Sequence, residues 1–588
     1  MYISEVKIKG FRNFKEDTIN FKLNSLIIGE NDIGKSNLIY ALRILLDKSI
    51  SEADLEPKDK DFYAFEETNE FHIQIKFDNI TEECIQSKFK GSISEDGIMY
   101  ISFNAQKNSD DNSIIYYFSQ GKDEGSLLRE SNRFESRYYL KILNIEYVKS
   151  NRDLKRFINK EKKNLLSDMM KKREEKQKEE DNKKIELVKE NLINVNNNMR
   201  ELSYIKNATN VINKDLDNLS IHNKNQVFQF STIAESIDDI QNNVELVSKF
   251  DEKELSIGGD GRNNQIFMSL WCNKYNNIKE NCLSVTIYCI EEPEAHLHPH
   301  QQRQLSKYLL NLLNGQIIIS SHSPQIASEF RPDSIIRLHK SKYTTISANN
   351  GCSTVVEDAI NDFGYRMNII ASEAFFSRVV LLVEGPSEEI FYKTLAHELN
   401  IQLDKNGISI IDVNGVGFNE YMKLLKSLNI KFVFRTDNDI FKIPNKNKYR
   451  CAGIQRAIDF YKNHYEHNEK IDEILKREDE FNNLPDKVLS NDVKELMNQL
   501  ITELNKIGIF ISDVDLENDI YDSGISDELK TYYGTTTKQD TVSKMQEKKA
   551  INLYYFLKNN QGALKKIEES SIVEPLKKCV VMSDEEDE

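Results

Sequence analysis

The segment SLIIGENDIGKSNLIYALRILL, residues 25–46, leaves a chain few choices. The aliphatic run before Gly29 reads as a buried strand, and the apolar periodicity after Ser36 as a helix. Between them, Gly29, Gly34, Lys35 and Ser36 fill the pattern GxxxxGK[ST]. Such a loop curls backbone N–H groups around phosphates, with the helix N-terminus adding positive potential. Lys35 would neutralise the β and γ phosphates, Ser36 would coordinate Mg²⁺, and Asn31 and Asn37 would flank the bound nucleotide. The fold must then be α/β, with a parallel sheet behind the loop.

Such a loop calls for acids on a neighbouring strand. TIYCIEEPE supplies Glu291 and Glu292 after an apolar run. Their order assigns Glu291 to Mg²⁺ and Glu292 to polarising the attacking water. IIISSHSP then ends a further strand with His322, placed to sense a γ-phosphate. This succession resembles the ABC-type ATPase heads of SMC-like proteins. In that reading SIGGDGRNNQ, with Ser256, Gly258, Gly259 and Gly261, is a partial match to the signature loop of such heads.

At 588 residues the chain exceeds what one hydrophobic core supports. The organisation predicted is an N-terminal ATPase part at 1–149, a helical insert at 150–228, a second ATPase part at 229–371, and a further α/β domain with helical additions at 372–588. Lys171 to Lys184 carries no apolar residue. Val188, Leu192, Val195, Met199 and Leu202 then recur at spacings of 4, 3, 4 and 3, a short coiled-coil seam. The seam suits an intrachain hairpin and a dimerisation arm equally. The seven cysteines form no CxxC pair, which argues against a zinc ribbon. With no signal-like N-terminus and no long apolar run, the cytoplasm is the expected compartment. A net charge of −16 means that a nucleic-acid partner would need local basic patches and divalent metal.

The second chemical centre begins at LLVEGPSEEIF, where a core strand ends in Glu384 and a helix carries Glu388 one turn on. VNGVG, with Gly415 and Gly417, is a strand-to-helix turn, and FVFRTDND ends the next strand with Asp437 and Asp439. Carboxylates gathered from adjacent strands repel unless a cation joins them, and Mg²⁺ or Mn²⁺ prefers such oxygen ligands. Two such ions would clamp both oxygens of a phosphodiester displacement. Lys442, Lys446, Lys448, Arg450 and Arg456 follow closely, either as DNA phosphate contacts or as a solvated loop.

The EGxxE…DxD pattern resembles the Toprim domain. An ABC-type ATPase followed by a C-terminal Toprim resembles the overcoming lysogenization defect (OLD) family of endonucleases, including the nucleases of Gabija antiphage defence. That resemblance implies DNA cleavage with Glu384, Asp437, Asp519 and Lys549 as catalytic residues. It implies a metal set of Glu384, Glu388, Asp437, Asp439, Glu517 and Asp519, with Lys549 offsetting charge on the scissile phosphate. It further implies Mg²⁺ or Mn²⁺ at that site, ATP with Mg²⁺ at the P-loop, double-stranded DNA as substrate, a homo-oligomer (dimer or tetramer), and a UvrD-like helicase partner. The competing reading is an SMC-like DNA-repair ATPase whose Toprim is a binding platform.

Overall fold

The computed structural model describes residues 1–108, 113–150, 154–219, 247–250, 253–256, 259–276, 284–352, 372–413, 417–444 and 447–585. Of the residues singled out above, Gly258, Gly415 and Lys446 lie outside the described residues. The chain divides into two compact units. One comprises Met1–Ser150, Asn281–Glu294 and Pro299–Glu588, and the other Asn151–Glu280 and Ala295–His298.

The first unit opens with an antiparallel sheet. Its strands run in the order Phe14–Asn20, Tyr2–Phe11, Glu70–Asp78, Met99–Lys107, Ile114–Gly121 and Arg133–Phe134. A second six-stranded sheet runs Thr344–Ser347, Ile335–Ser341, Asn24–Ile28, Ile317–Ser320, Val285–Glu291 and Leu143–Val148. It is parallel except at the Thr344–Ser347 edge. The helix Lys35–Leu46 is buried with both sheets in one apolar cluster. Leu38, Leu42 and Leu45 share that cluster with Ile73 and Ile101 of the first sheet and Ile145 and Ile318 of the second. The helix is therefore apolar on most of its circumference, as a helix between two layers must be. Its entry depends on Gly34, whose φ of 109° lies in the left-handed region and whose added Cβ would stand 2.0 Å from Asn13 Nδ2.

One expectation is corrected here. The acidic strand Val285–Glu291 does not neighbour the P-loop strand Asn24–Ile28; Ile317–Ser320, which leads to His322, lies between them. Spacing along a chain does not encode strand order when long crossovers intervene.

A second parallel sheet of the same unit runs Ile408–Asp412, Val379–Val383, Lys431–Thr436 and Ile509–Ile511. In chain order this is 2-1-3-4. The reversal falls between Val379–Val383 and Lys431–Thr436, and a crevice opens at the carboxyl ends of strands flanking such a point. The fourth strand, Ile509–Ile511, stands in a region whose sequence reads as charged helix. Three residues are too few to show a period. The two sheet systems touch through charged and amide groups. Arg378 donates from Nε to Glu30 Oε1 at 2.7 Å and from Nη2 to Oε2 at 3.1 Å. Arg337 donates to the carbonyls of Leu428 and Asn429.

The other unit contains the helices Leu154–Lys171, Glu175–Arg200, Ser203–Leu219 and Asp260–Asn276, with a short antiparallel pair Val247–Phe250 and Lys253–Ser256. In the seam, Val188, Val195 and Leu202 are exposed, and Leu192 and Met199 half-buried.

Gly453 positions the loop after Lys431–Thr436. It lies in the first turn of the helix Ala452–His464, and a Cβ there would stand 2.2 Å from Asp437 O and 2.7 Å from Asn438 Cα. Neither backbone atom can step aside without moving the loop, so Gly453→Ala should cost about 1–3 kcal/mol of overpacking. In a thermal melt the variant should unfold several degrees below the wild type. An unchanged melting temperature would show that the loop yields freely.

Candidate functional site

Two centres lie on the first unit. At the P-loop, Lys35 is buried and its ammonium donates to Gly29 O at 3.0 Å and Glu30 O at 2.7 Å. Burial lowers its pKa to about 8, against the opposing pull of Glu292, Asp32, Glu294 and Glu291. Ser36 and Asn31 are exposed beside it. Asn37 has its side chain engaged, donating to Asn13 Oδ1 at 2.6 Å and accepting from Arg12 at 2.9 Å.

Glu291 is buried at its strand end and accepts from the Tyr147 hydroxyl at 2.8 Å. Glu292 adopts a φ of 44°, which turns its side chain off the strand. Its Oε1 lies 3.8 Å from His322 Nε2. Burial and the nearby Lys35 charge both lower the His322 pKa, favouring a neutral imidazole. Sequence reasoning passed over Glu294, the last acid of IEEPE. Its Oε1 accepts from Ser321 Oγ and from the His322 N–H, each at 2.8 Å, and so holds the histidine turn in place. The third Glu in nine residues was the available signal.

At the second centre, Glu384 follows Val383 and Asp437 follows Thr436, so both stand at the carboxyl edge beside the strand-order reversal. Glu384 Oε1 accepts from the Thr436 hydroxyl, from the Asp437 N–H at 3.0 Å, and from Arg456. Arg456, read above as either a DNA phosphate contact or part of a solvated loop, is thus an ion-pair partner within the centre. Glu388 is buried on the helix Pro386–Glu398. Asp437 is 6 % exposed and accepts from Ser512 Oγ at 3.1 Å. Glu517 and Asp519 arrive on the helix Leu516–Asp522, just past the fourth strand. Asp519 accepts from Arg435 at 2.6 Å, and Lys549 Nζ lies 3.5 Å from Glu517 Oε2. Asp439 is placed at the rim, where Arg456 and Lys549 temper its charge. Arg435 gave no sequence signal of its own, because one Arg in an apolar strand reads as an edge residue.

The electrostatics record crowding. The Asp437 carboxyl is raised to about 7, by burial first and then by Glu384 and Glu388, with Arg435 opposing them. Burial likewise raises Glu388, Glu517, Asp519 and Asp439. Glu517 Oε2 is buried without a hydrogen bond. Raised carboxyls, a buried oxygen met only by the Lys549 ammonium at 3.5 Å and an all-oxygen donor set fit a hard divalent cation. Among the described residues, no three acidic, histidine or cysteine side chains converge tightly enough to hold one ion as placed. Binding therefore requires side-chain rotation. Of the nearby basic residues, Lys448 donates to Asn483 Oδ1 at 3.1 Å, while Lys442 and Arg450 are exposed on a small hairpin.

Comparison with known proteins agrees with this anatomy. A family described as AAA ATPase domain matches residues 1–327, and one described as overcoming lysogenization defect protein-like, TOPRIM domain matches residues 375–439. The chain is 26% identical over 583 residues to Endonuclease GajA of Bacillus cereus (strain VD045), covering 95% of each. It is 25% identical over 480 residues to Old nuclease of Escherichia phage P2, covering 74% of this chain and 77% of that protein. A solved SMC head bound to the C-winged helix domain of ScpA aligns with 59% of this chain and 97% of its own, at 16% identity and a TM-score of 0.34. With its P-loop ATPase sheet and its acid-edged parallel sheet in this order, the chain belongs to the AAA ATPase domain family and carries, at residues 375–439, a match to the OLD-like TOPRIM domain.

Proposed function

We propose that this chain is a metal-dependent DNA endonuclease regulated by nucleotide at an ABC-type ATPase site, acting in antiphage defence. The observation that carries the reading is the gathering of Glu384, Glu388, Asp437, Glu517 and Asp519 around one strand-order reversal. The names of the relatives, endonuclease and nuclease, support it.

Glu384, Asp437 and Asp439 from the strand ends and Glu388, Glu517 and Asp519 from two helices would hold Mg²⁺ or Mn²⁺. A bound divalent ion supplies Lewis-acid polarisation of the phosphodiester and a more acidic water. The chain's own residues prepare that chemistry. Thr436, the Asp437 N–H and Arg456 fix Glu384, and Ser512 fixes Asp437. Lys549 is half-exposed, so its ammonium can turn from Glu517 to a scissile phosphate. Lys442 and Arg450, exposed nearby, are suited to backbone phosphates of double-stranded DNA, which the net charge of −16 would otherwise repel. A UvrD-like helicase is the proposed partner protein.

At the ATPase site, Glu291 would hold Mg²⁺ through water, Glu292 would polarise the attacking water, and neutral His322 would report the γ-phosphate. Phosphates entering the loop would draw the Lys35 ammonium off the Gly29 and Glu30 carbonyls. The Glu30 side chain is gripped by Arg378, the residue before Val379–Val383. Nucleotide would thus act on the nuclease by linkage rather than in its chemistry.

Three outcomes test this reading. Plasmid cleavage should require Mg²⁺ or Mn²⁺, stop with EDTA, and fall at least about a hundredfold in Glu384→Ala or Asp437→Ala; full cleavage by the double variant would place the site elsewhere. Lys35→Ala should lose nucleotide binding yet cut DNA at a rate indifferent to ATP, while the wild-type rate changes across the same titration. A folded Lys35→Ala that is inert without nucleotide would make the ATPase site part of the nuclease. Last, the exposed seam points to a homo-oligomer, dimer or tetramer, built by the helical unit. Replacing Leu192, Val195 and Met199 together by Asp should lower the mass seen in light scattering with helicity kept; an unchanged mass refutes the arm.

A further inference from the structure

Arg435 occupies an unusual place. The strand Lys431–Thr436 is interior, paired on both edges with parallel strands. Val433, two residues earlier and on the same face, is fully buried in the apolar cluster. At the next position of that face an apolar residue would be ordinary, yet the side chain is a guanidinium only 3 % exposed. Burying that charge is costly unless carboxylates answer it. They do: Nη2 donates to Asp519 Oδ2 at 2.6 Å, and Nη1 faces Asp437 Oδ1 at 3.9 Å. Nη1 itself is buried without a hydrogen bond. The guanidinium thus lies between two of the six carboxylates counted above as the metal set. A dication bridging Asp437 and Asp519 would be thrust against a charge that the strand cannot withdraw, because the Arg435 backbone is pinned in the sheet. The opposite side differs. Glu384 is restrained by Arg456, which is partly exposed and reaches in from a helix, so it can swing aside.

We infer that Arg435 is a resident cation of the nuclease site, standing where a second ion would bind, so that each chain takes one exchangeable divalent ion, on the side of Glu384, Glu388 and Asp437. The proposal rests on the metal-dependent reading above and sharpens it. Asp519 becomes a residue held by Arg435 rather than a metal ligand, and Arg435 becomes a positioning residue that keeps Asp437 turned toward the remaining ion.

The test is a Mn²⁺ titration of the full chain without nucleotide, with free Mn²⁺ read by its electron paramagnetic resonance signal. It is run in a Ser36→Ala background, so that the P-loop contributes no ion. One tight Mn²⁺ per chain is expected. Arg435→Gln should gain a second tight ion, and Arg435→Lys, which keeps the charge, should stay at one. Two tight ions with Arg435 present would overturn the proposal, as would a folded Arg435→Gln that still binds one. If Arg435→Gln fails to fold, the counts with Arg435 and with Arg435→Lys decide alone: one in each supports the proposal, and two in either overturns it. Absence of any tight ion would sink the metal-dependent reading and this proposal together, whereas a count of two sinks this proposal only.

Discussion

Carboxylates brought to one edge of a parallel sheet repel, and most of the second centre can be understood as an answer to that repulsion. The sheet places Glu384 and Asp437 side by side because both follow the last residue of neighbouring parallel strands. The helices Pro386–Glu398 and Leu516–Asp522 then add Glu388, Glu517 and Asp519. Removing Glu388, Asp437, Glu517 and Asp519 from water favours their neutral forms, and neighbouring carboxylates add to the effect. The chain supplies three cations in return: Arg435 from below, Arg456 from the side, and Lys549 from the rim. The Arg435 and Lys549 pairs each have a partner almost wholly withdrawn from solvent, where the loss of one charge strands the other, whereas the Arg456 pair is partly exposed on both sides.

The nucleotide centre solves a different problem with similar means. Lys35 must be buried to meet phosphate, and burial alone would push it toward neutrality. Four carboxylates nearby oppose that, and two backbone carbonyls accept hydrogen bonds from its ammonium. Glu294 holds the turn that carries His322 by accepting from its N–H and from Ser321. The acids of IEEPE therefore divide their labour by position. One is buried beneath Tyr147, one is turned out toward the histidine, and one is spent on the scaffold.

Much of this was legible in the sequence because the informative residues sit in short runs at strand ends, where apolar periodicity stops and chemistry begins. GENDIGKS, IEEPE, SSHSP, VEGPSE and TDND all have that form. What stayed hidden was whatever depends on strand order or on one side chain's direction. The sequence places the acidic strand beside the P-loop strand, but the fold inserts Ile317–Ser320 between them. Ile509–Ile511 was hidden by its length. Arg456 follows the DxD loop among other basic residues and reads as a phosphate contact or a solvated residue, yet its guanidinium turns inward to Glu384. Arg435 looked like an ordinary strand residue. Only the register, which pairs it with Phe510 and sets it on the buried face, shows what it answers.

The strand Val379–Val383 joins the two centres. Each of its five residues is fully buried, with a parallel neighbour on each edge. Arg378 precedes it and is tied to Glu30 of the P-loop, and Glu384 ends it. A close-packed strand of this kind does not absorb a displacement by bending, since its side chains have no void to move into. Motion of Glu30 that carries Arg378 with it must either slide the strand or break the ion pair. Sliding would shift Glu384 against Thr436 and Arg456, the two groups whose side chains hold it in place. Breaking the pair would cost little, because both side chains are more than half exposed. The pair is therefore weak as a source of stability, and its loss would not threaten the fold on either side.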